Sequence, residues 1–246
     1  MYEEYQPGPH SQRLVECFWT VKGEPSGFQE VLPDGNMDII YNFSSPLVNQ
    51  RGERQTVNKA GIFVVGNLTK AVRSGSQGTY DLFGIRFKAC GAGALLHDPL
   101  KQYTDTSVPW EDAERKNLLQ PLERLHSIST AERVQLLDTS LGRLEHRVDH
   151  RVKKALSIIE VSNGVISIGR LAREVCVSQK QLQRLFLHFV GVTPKIYADT
   201  TRFRALQKVM IQPLPKWEMA ESLGFYDHAH LYKFIHRFMD KSQGES

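Results

Sequence analysis

The sequence predicts an α+β chain: a small β-barrel with helices behind it, followed by an all-α domain of two helix-turn-helix units. Three observations carry this expectation. The first hundred residues hold short runs rich in β-branched and aromatic side chains, punctuated by Gly and Pro. From Trp110 onward the apolar spacing becomes helical. In the last third of the chain, one pattern of cap and apolar residues occurs twice, 49 residues apart.

The strands come first in order. VECFWTVKG (15–23), MDIIYNF (37–43), GIFVVGN (61–67) and TYDLFGIRFKA (79–89) read as strands, with turns at EPSG, LPDGN, SSP and SGSQG. Pro33-Asp34-Gly35-Asn36 predicts a tight turn between strands. Many short, punctuated strands point to a barrel or sandwich. Leu118, Leu122 and Leu125, then Val134, Leu137, Leu141 and Leu144, predict two helices facing a common partner. Ser129 and Glu132 have the spacing of a capping box at the start of the second. The polar stretch EHRVDHR (145–151) marks a boundary, giving domains 1–147 and 148–246.

The repeat organises the second domain. Ser178, Leu182, Leu185, Phe186 and Phe189 recur as Asp227, Leu231, Phe234, Ile235 and Phe238. Ahead of them Ile168, Leu171 and Ala172 recur as Trp217, Met219 and Ala220, with the Ala pair offset by 48, so the second turn is one residue longer. Each unit is a short helix, a turn and a capped amphipathic helix. Ser167 and Ser178 read as N-caps, and Ser178 with Gln181 as a capping box. Gly224 suits the left-handed corner. Cys176 stands there in the first unit, so strain and a slightly different turn are expected. Pro194 opens a further helix that runs to about Ile211, ahead of Pro213 and Pro215. Its span of ~27 Å suits two units held about one DNA turn, ~34 Å, apart.

Charge follows the same division. From Arg151 on, 15 Lys and Arg face 8 Asp and Glu, a net of +7, while residues 1–150 carry −3; such polarity suits a polyanion partner for the second domain. The outward face of the first unit's second helix shows Gln179, Lys180, Gln183 and Arg184, types that pair with base edges in the major groove. The second unit offers His228, Ala229, His230, Tyr232 and Lys233. Lys195, Arg202 and Arg237, with Arg151, Lys153, Lys154, Arg204 and Lys208, are candidates for phosphate contacts.

Other chemistries fit poorly. His228 and His230 would share a metal on a strand, but on a helix residues two apart diverge by ~200°. His146 and His150 are four apart, yet the Glu of HExxH and a third ligand are missing. The three cysteines show no paired spacing, which suggests a reducing compartment and no zinc cluster. There is no G-x-S-x-G, no HExxH and no paired carboxylates in a pocket setting, so no enzyme and no cofactor is expected. No apolar run approaches a membrane span, and MYEEYQPGPH lacks the regions of a secretory signal, so the expected location is the cytoplasm.

From about Val148 to Gln243 the chain resembles the AraC/XylS family of transcription regulators. The residues that carry this are Ile168-x-x-Leu171-Ala172, Ser178-x-x-x-Leu182-x-Arg184-x-Phe186, Gly191-Val192-Thr193-Pro194-x-x-Tyr197-x-x-x-x-Arg202-x-x-Ala205, and Ala220-x-x-x-Gly224-Phe225-x-Asp227-x-x-His230-Leu231. The resemblance implies a sequence-specific DNA-binding regulator, activation being the commoner mode. It implies two recognition helices in successive major-groove segments, with Lys180, Gln183 and Arg184 facing bases. Such domains usually end in Gly-x-x-Pro; here the stretch is Asp240-Lys241-Ser242-Gln243, and Ile235 replaces a usual Phe.

ECFWTVKG, VLPDGNMDIIYNF and FGIRFKACGAGALL are similar to the cupin-like sensory domain of some members, which implies control by an effector. His10 and His97 are isolated, so a metal cupin is disfavoured. Trp19, Met37, Tyr41, Phe43 and Arg86 are candidate ligand contacts, with core packing the competing reading of each. The implied partners are double-stranded promoter DNA, RNA polymerase, a small-molecule effector and a second copy of the chain; a monomer with two units also suffices to read DNA. The competing class is a cupin-like small-molecule-binding protein or enzyme with an accessory helical domain. It predicts turnover or bound metal and little sequence preference on DNA.

Overall fold

The computed structural model describes residues 1–24, 27–76, 78–96, 98–110, 122–145, 148–211 and 220–239. Among these, ten strands form two antiparallel sheets. They are β1 (Tyr2–Tyr5), β2 (Val15–Gly23), β3 (Gln29–Val31), β4 (Met37–Asn42), β5 (Leu47–Arg51), β6 (Arg54–Asn58), β7 (Gly61–Val65), β8 (Val72–Ser76), β9 (Tyr80–Phe87) and β10 (Ser107–Pro109). One sheet runs β1-β2-β9-β4-β7-β10 and the other β3-β8-β5-β6. The expected barrel is thus two open sheets.

All four expected strands form. The other six carry weak signals: β5 and β6 include Asn49, Gln50, Arg54, Gln55 and Thr56, and SGSQG, expected as a turn, gives Ser74–Ser76 to β8. Pairing with β3 and β5 holds that segment extended, a tertiary effect that overrides local preference. The turn at Pro33–Asn36 forms, with Gly35 at φ 82° and Asn36 N–H donating to Asp34 Oδ1 at 2.9 Å. It carries the chain from one sheet to the other.

Alternation gives the six-stranded sheet two different faces. Phe18, Met37, Ile39, Tyr41, Phe83, Ile85 and Phe87 pack against Leu95, Leu100, Leu125, Leu137 and Leu141. Cys17, Trp19, Phe63 and Leu82 lie on the other face, with Leu47 of the second sheet. The helices behind the first face are α1 (Leu122–His126) and α2 (Thr130–Gly142). The capping box of α2 closes in both directions: Glu132 N–H donates to Ser129 Oγ and Ser129 N–H to Glu132 Oε2. The expected helix residue Leu118 lies outside the described residues, as do His97, His146, the 146–147 part of the boundary and Asp240–Gln243.

Among the described residues, the helices that follow include α3 (His150–Val161), α4 (Ile168–Glu174), α5 (Gln179–Phe189), α6 (Pro194–Ile211) and α7 (His228–His236). Trp217, Met219, Pro213 and Pro215 lie outside the described residues. The 18-residue α6 forms as expected. Its first half gives Tyr197 and Ala198 to the core of α3–α5; its second half gives Phe203, Leu206 and Val209 to the core around α7. One rod therefore belongs to both units, which ties their placement together.

Candidate nucleic-acid interface and effector cavity

The two units share one corner. In the first, Val177 N–H donates to Ala172 O and Cys176 N–H to Arg173 O, both at 3.0 Å. In the second, Phe225 N–H donates to Ala220 O at 3.2 Å and Gly224 N–H to Glu221 O at 2.7 Å. This is the Schellman closure of a helix, which needs a left-handed residue at its apex. Cys176 takes φ 56° and Gly224 φ 76°. The expected strain at Cys176 is present, but the turn does not differ at this point; the closing bonds leave no other conformation. The extra residue of the second unit comes after the corner, where Phe225-Tyr226-Asp227 replaces Val177-Ser178.

Side-chain caps start three of these helices. Ser167 Oγ accepts from Arg170 N–H at 3.3 Å and Ser178 Oγ from Gln181 N–H at 3.1 Å. Asp227 Oδ1 accepts from His230 N–H at 2.6 Å. Leu182 and Phe186 are buried under α5, and Phe234 under α7. Gln179, Lys180, Gln183 and Arg184 are exposed together on α5, and His228, Ala229, Tyr232 and Lys233 on α7.

Other expected contacts are engaged within the protein. Arg202 is half-buried, its guanidinium 3.8 Å from the ring centre of Phe225 and 5.0 Å from that of Phe234. It packs the second unit onto α6, and burial lowers its pKa from the ordinary value. His230 lies against Phe225 (5.3 Å) and stacks on Tyr226 (6.1 Å, 11°), so its ring belongs to the corner. Lys195 pairs with Asp199 at 2.8 Å while staying 62% exposed. Arg237 pairs with Asp199 at 3.6 Å and lies over Phe234. Arg204 binds Glu160 at 2.8 Å and Asp34 O at 2.8 Å, Arg151 binds Asp149, and Lys154 donates to Glu174 O.

A cavity of about 1270 Å³ lies between the two sheets. Trp19, Val21, Ile40, Phe63, Val65 and Leu82 give it an apolar wall, faced by Leu47, Asn49 and Thr56. Trp19 can lie flat because its cross-strand partner is Gly84; any Cβ there would collide with the indole. Its Nε1 is buried without a hydrogen bond of ordinary geometry.

The cavity has two charged corners. At one, Arg86 donates to both oxygens of Asp38 (3.2 and 3.3 Å) and sits 3.3 Å from Asp34. Burial pushes the Asp38 carboxyl above its ordinary pKa against the pull of Arg86. Burial also opposes the Arg86 charge, but Asp38 and Asp34 outweigh it and hold the guanidinium protonated. At the other corner Arg51 meets Asp105 at 2.8 Å.

Of the five expected ligand contacts, Trp19 and Arg86 line this cavity. Met37 and Tyr41 face the opposite side of the sheet, and Phe43 packs under Arg133 at 4.6 Å and beside His126. Strand parity decides this: Asp38 and Ile40, one residue along from Met37 and Tyr41, are the ones that line the cavity. Arg51 was missed because LVNQR does not read as a strand, although once paired it puts Leu47, Asn49 and Arg51 on one face.

Residues 171–245 match a family described as a helix-turn-helix domain, and residues 3–109 a domain of unknown function (DUF6597). Among solved structures, ToxT of Vibrio cholerae aligns over 92% of this chain and 97% of its own, at TM-score 0.51 and 10% identity. The C-terminal part of the chain carries a helix-turn-helix domain. ToxT of V. cholerae O395 aligns over 92% and 96% (TM-score 0.51, 12% identity), and ToxT bound to an unsaturated fatty acid over 90% and 91% (0.51, 11%). At these identities the likeness shows a shared fold, sheets first and helices after. No curated protein matches the chain. No helix among the described residues is long and apolar enough to cross a membrane.

Proposed function

We propose that α5 and α7 enter successive major-groove segments of a promoter, with domains 1–147 and 148–246 acting as sensor and reader. Lys180, Gln183 and Arg184 read bases in the first segment; His228, Tyr232 and Lys233 make less selective contacts in the second. Lys195 and Arg237 contact phosphates through their exposed ends. The observation that carries this reading is the pairing of two capped helices on one rod, each with a buried apolar side and an exposed polar one. Arg202 and His230 support the corner instead of touching DNA. A small molecule in the inter-sheet cavity sets promoter occupancy by shifting the balance between states of the reader. The apolar wall with charged corners suits an amphipathic occupant, and the fatty acid bound by ToxT supports that choice. RNA polymerase and a second copy of the chain are further partners, in the cytoplasm, and no catalytic role is assigned.

Fluorescence anisotropy on the promoter upstream of its own gene tests the reader. Gln183→Ala and Arg184→Ala each weaken binding by about 1–3 kcal/mol. Equal affinity and equal salt slope for variant and parent would overturn the assignment.

A further inference from the structure

One loop of the β-domain, residues 67–71 between β7 and β8, touches the far ends of both recognition-type helices. Asn67 Nδ2 donates to Val190 O, the C-cap of α5, at 2.6 Å. Four residues on, Ala71 N–H donates to Phe238 O, just past the end of α7, at 2.6 Å. Val190 is the C-cap of α5, whose carbonyl lacks a partner within the helix, so the Asn67 bond fills a vacancy there; Phe238 lies one residue past the C-cap of α7. Asn67 is 1% exposed, which makes its bond expensive to leave unmade.

The same loop is held from the cavity side. Asp105 Oδ1 accepts from Thr69 N–H at 2.8 Å, Asp105 Oδ2 from Thr69 Oγ1 at 2.7 Å, and Asp105 N–H donates to Asn67 O at 2.9 Å. Arg51 binds Asp105 at 2.8 Å and reaches Thr69 Oγ1 at 3.2 Å. Asp105 takes φ 59° to do this, a left-handed conformation that a non-glycine residue holds only when its surroundings impose it. Arg51, Leu68 and Asp105 all line the cavity.

We propose that loop 67–71 is a clamp that fixes α5 and α7 relative to each other, and that the Arg51–Asp105 pair is where a cavity occupant acts on it. A polar group that competes for either partner loosens Thr69 and, through it, both helix ends. The exposed faces of α5 and α7 stay uncovered by the clamp, so it sets the spacing of the reader and does not block it. The role of the occupant rests on the ligand reading above, but the test uses no ligand, so its failure counts against the clamp alone.

Hydrogen exchange by mass spectrometry on the full chain tests it, with Arg51→Met, Asp105→Asn and, as control, Arg54→Met, which lines the same cavity from β6. Expected is a several-fold faster exchange of amides 187–191 and 236–239 together in the first two variants, with 80–87 in the sheet unchanged and the control like the parent. Faster exchange confined to 66–71 and 103–106, a response of only one helix end, or an equal response in Arg54→Met would overturn the proposal.

Discussion

The two helix-turn-helix units are the same device built twice from different residues. Both close on the same pair of backbone bonds, yet one apex is Cys176 and the other Gly224. Both start the outer helix with a side-chain cap, Ser178 in one and Asp227 in the other. They differ in what surrounds the corner. The second unit inserts Tyr226, 87% exposed, and binds its corner to α6 through Arg202 over Phe225. It also draws His230 into that corner, against Phe225 and Tyr226. The lesson is that backbone geometry is common to the pair while the side chains around each corner differ.

The largest effects test the shared architecture. Phe186 and Phe225 are each fully buried, so replacement by Ala costs about 3–5 kcal/mol. Phe225→Ala costs the more of the two, because Arg202 then loses the ring beneath its guanidinium. Chemical denaturation checks the order; a smaller loss for Phe225→Ala would remove the role given to Arg202.

Next comes the asymmetry in reading. The pair Gln183→Ala/Arg184→Ala lowers affinity for promoter DNA more than Tyr232→Ala/Lys233→Ala, each bidentate base contact contributing about 1–3 kcal/mol. Sequence preference relaxes in the first case and salt dependence falls mainly in the second. Binding titrations over a salt series on matched and scrambled DNA would expose the opposite ranking.

The smallest effects separate the two corners. Cys176→Gly removes a left-handed penalty of about 1–2 kcal/mol and adds about 0.5–1 kcal/mol of unfolded-chain entropy, for a net gain of about 0–1.5 kcal/mol. Gly224→Ala acts in the other direction by about 1 kcal/mol or more, since its Cβ meets Arg202 Nη2 at 3.4 Å in a conformation that disfavours any side chain. Thermal melting of both variants checks the opposite signs.

The repeat, caps, linker helix and exposed faces were legible in the sequence because each depends on neighbours within about one or two turns. Cys176 was legible as a strained corner for the same reason. The inter-sheet cavity was not, because Arg51 and Asp105 meet only through the fold. Nor was the parity of β4: MDIIYN is apolar enough on both faces that Tyr41 and Ile40 are indistinguishable until the sheets pack. Arg202 read as a phosphate contact because nothing local reveals that Phe225 will lie beneath it. DNA contact and ring stacking draw on the same side chain, and only tertiary packing chooses between them.

Hydroxyl-radical footprinting of the full chain on the promoter upstream of its own gene tests the central claim most directly. Two protected patches about 10–10.5 bp apart on one face of the duplex are expected, with Arg184→Ala erasing one and Tyr232→Ala/Lys233→Ala weakening only the other. A single patch, or two that both survive Arg184→Ala unchanged, would contradict the account.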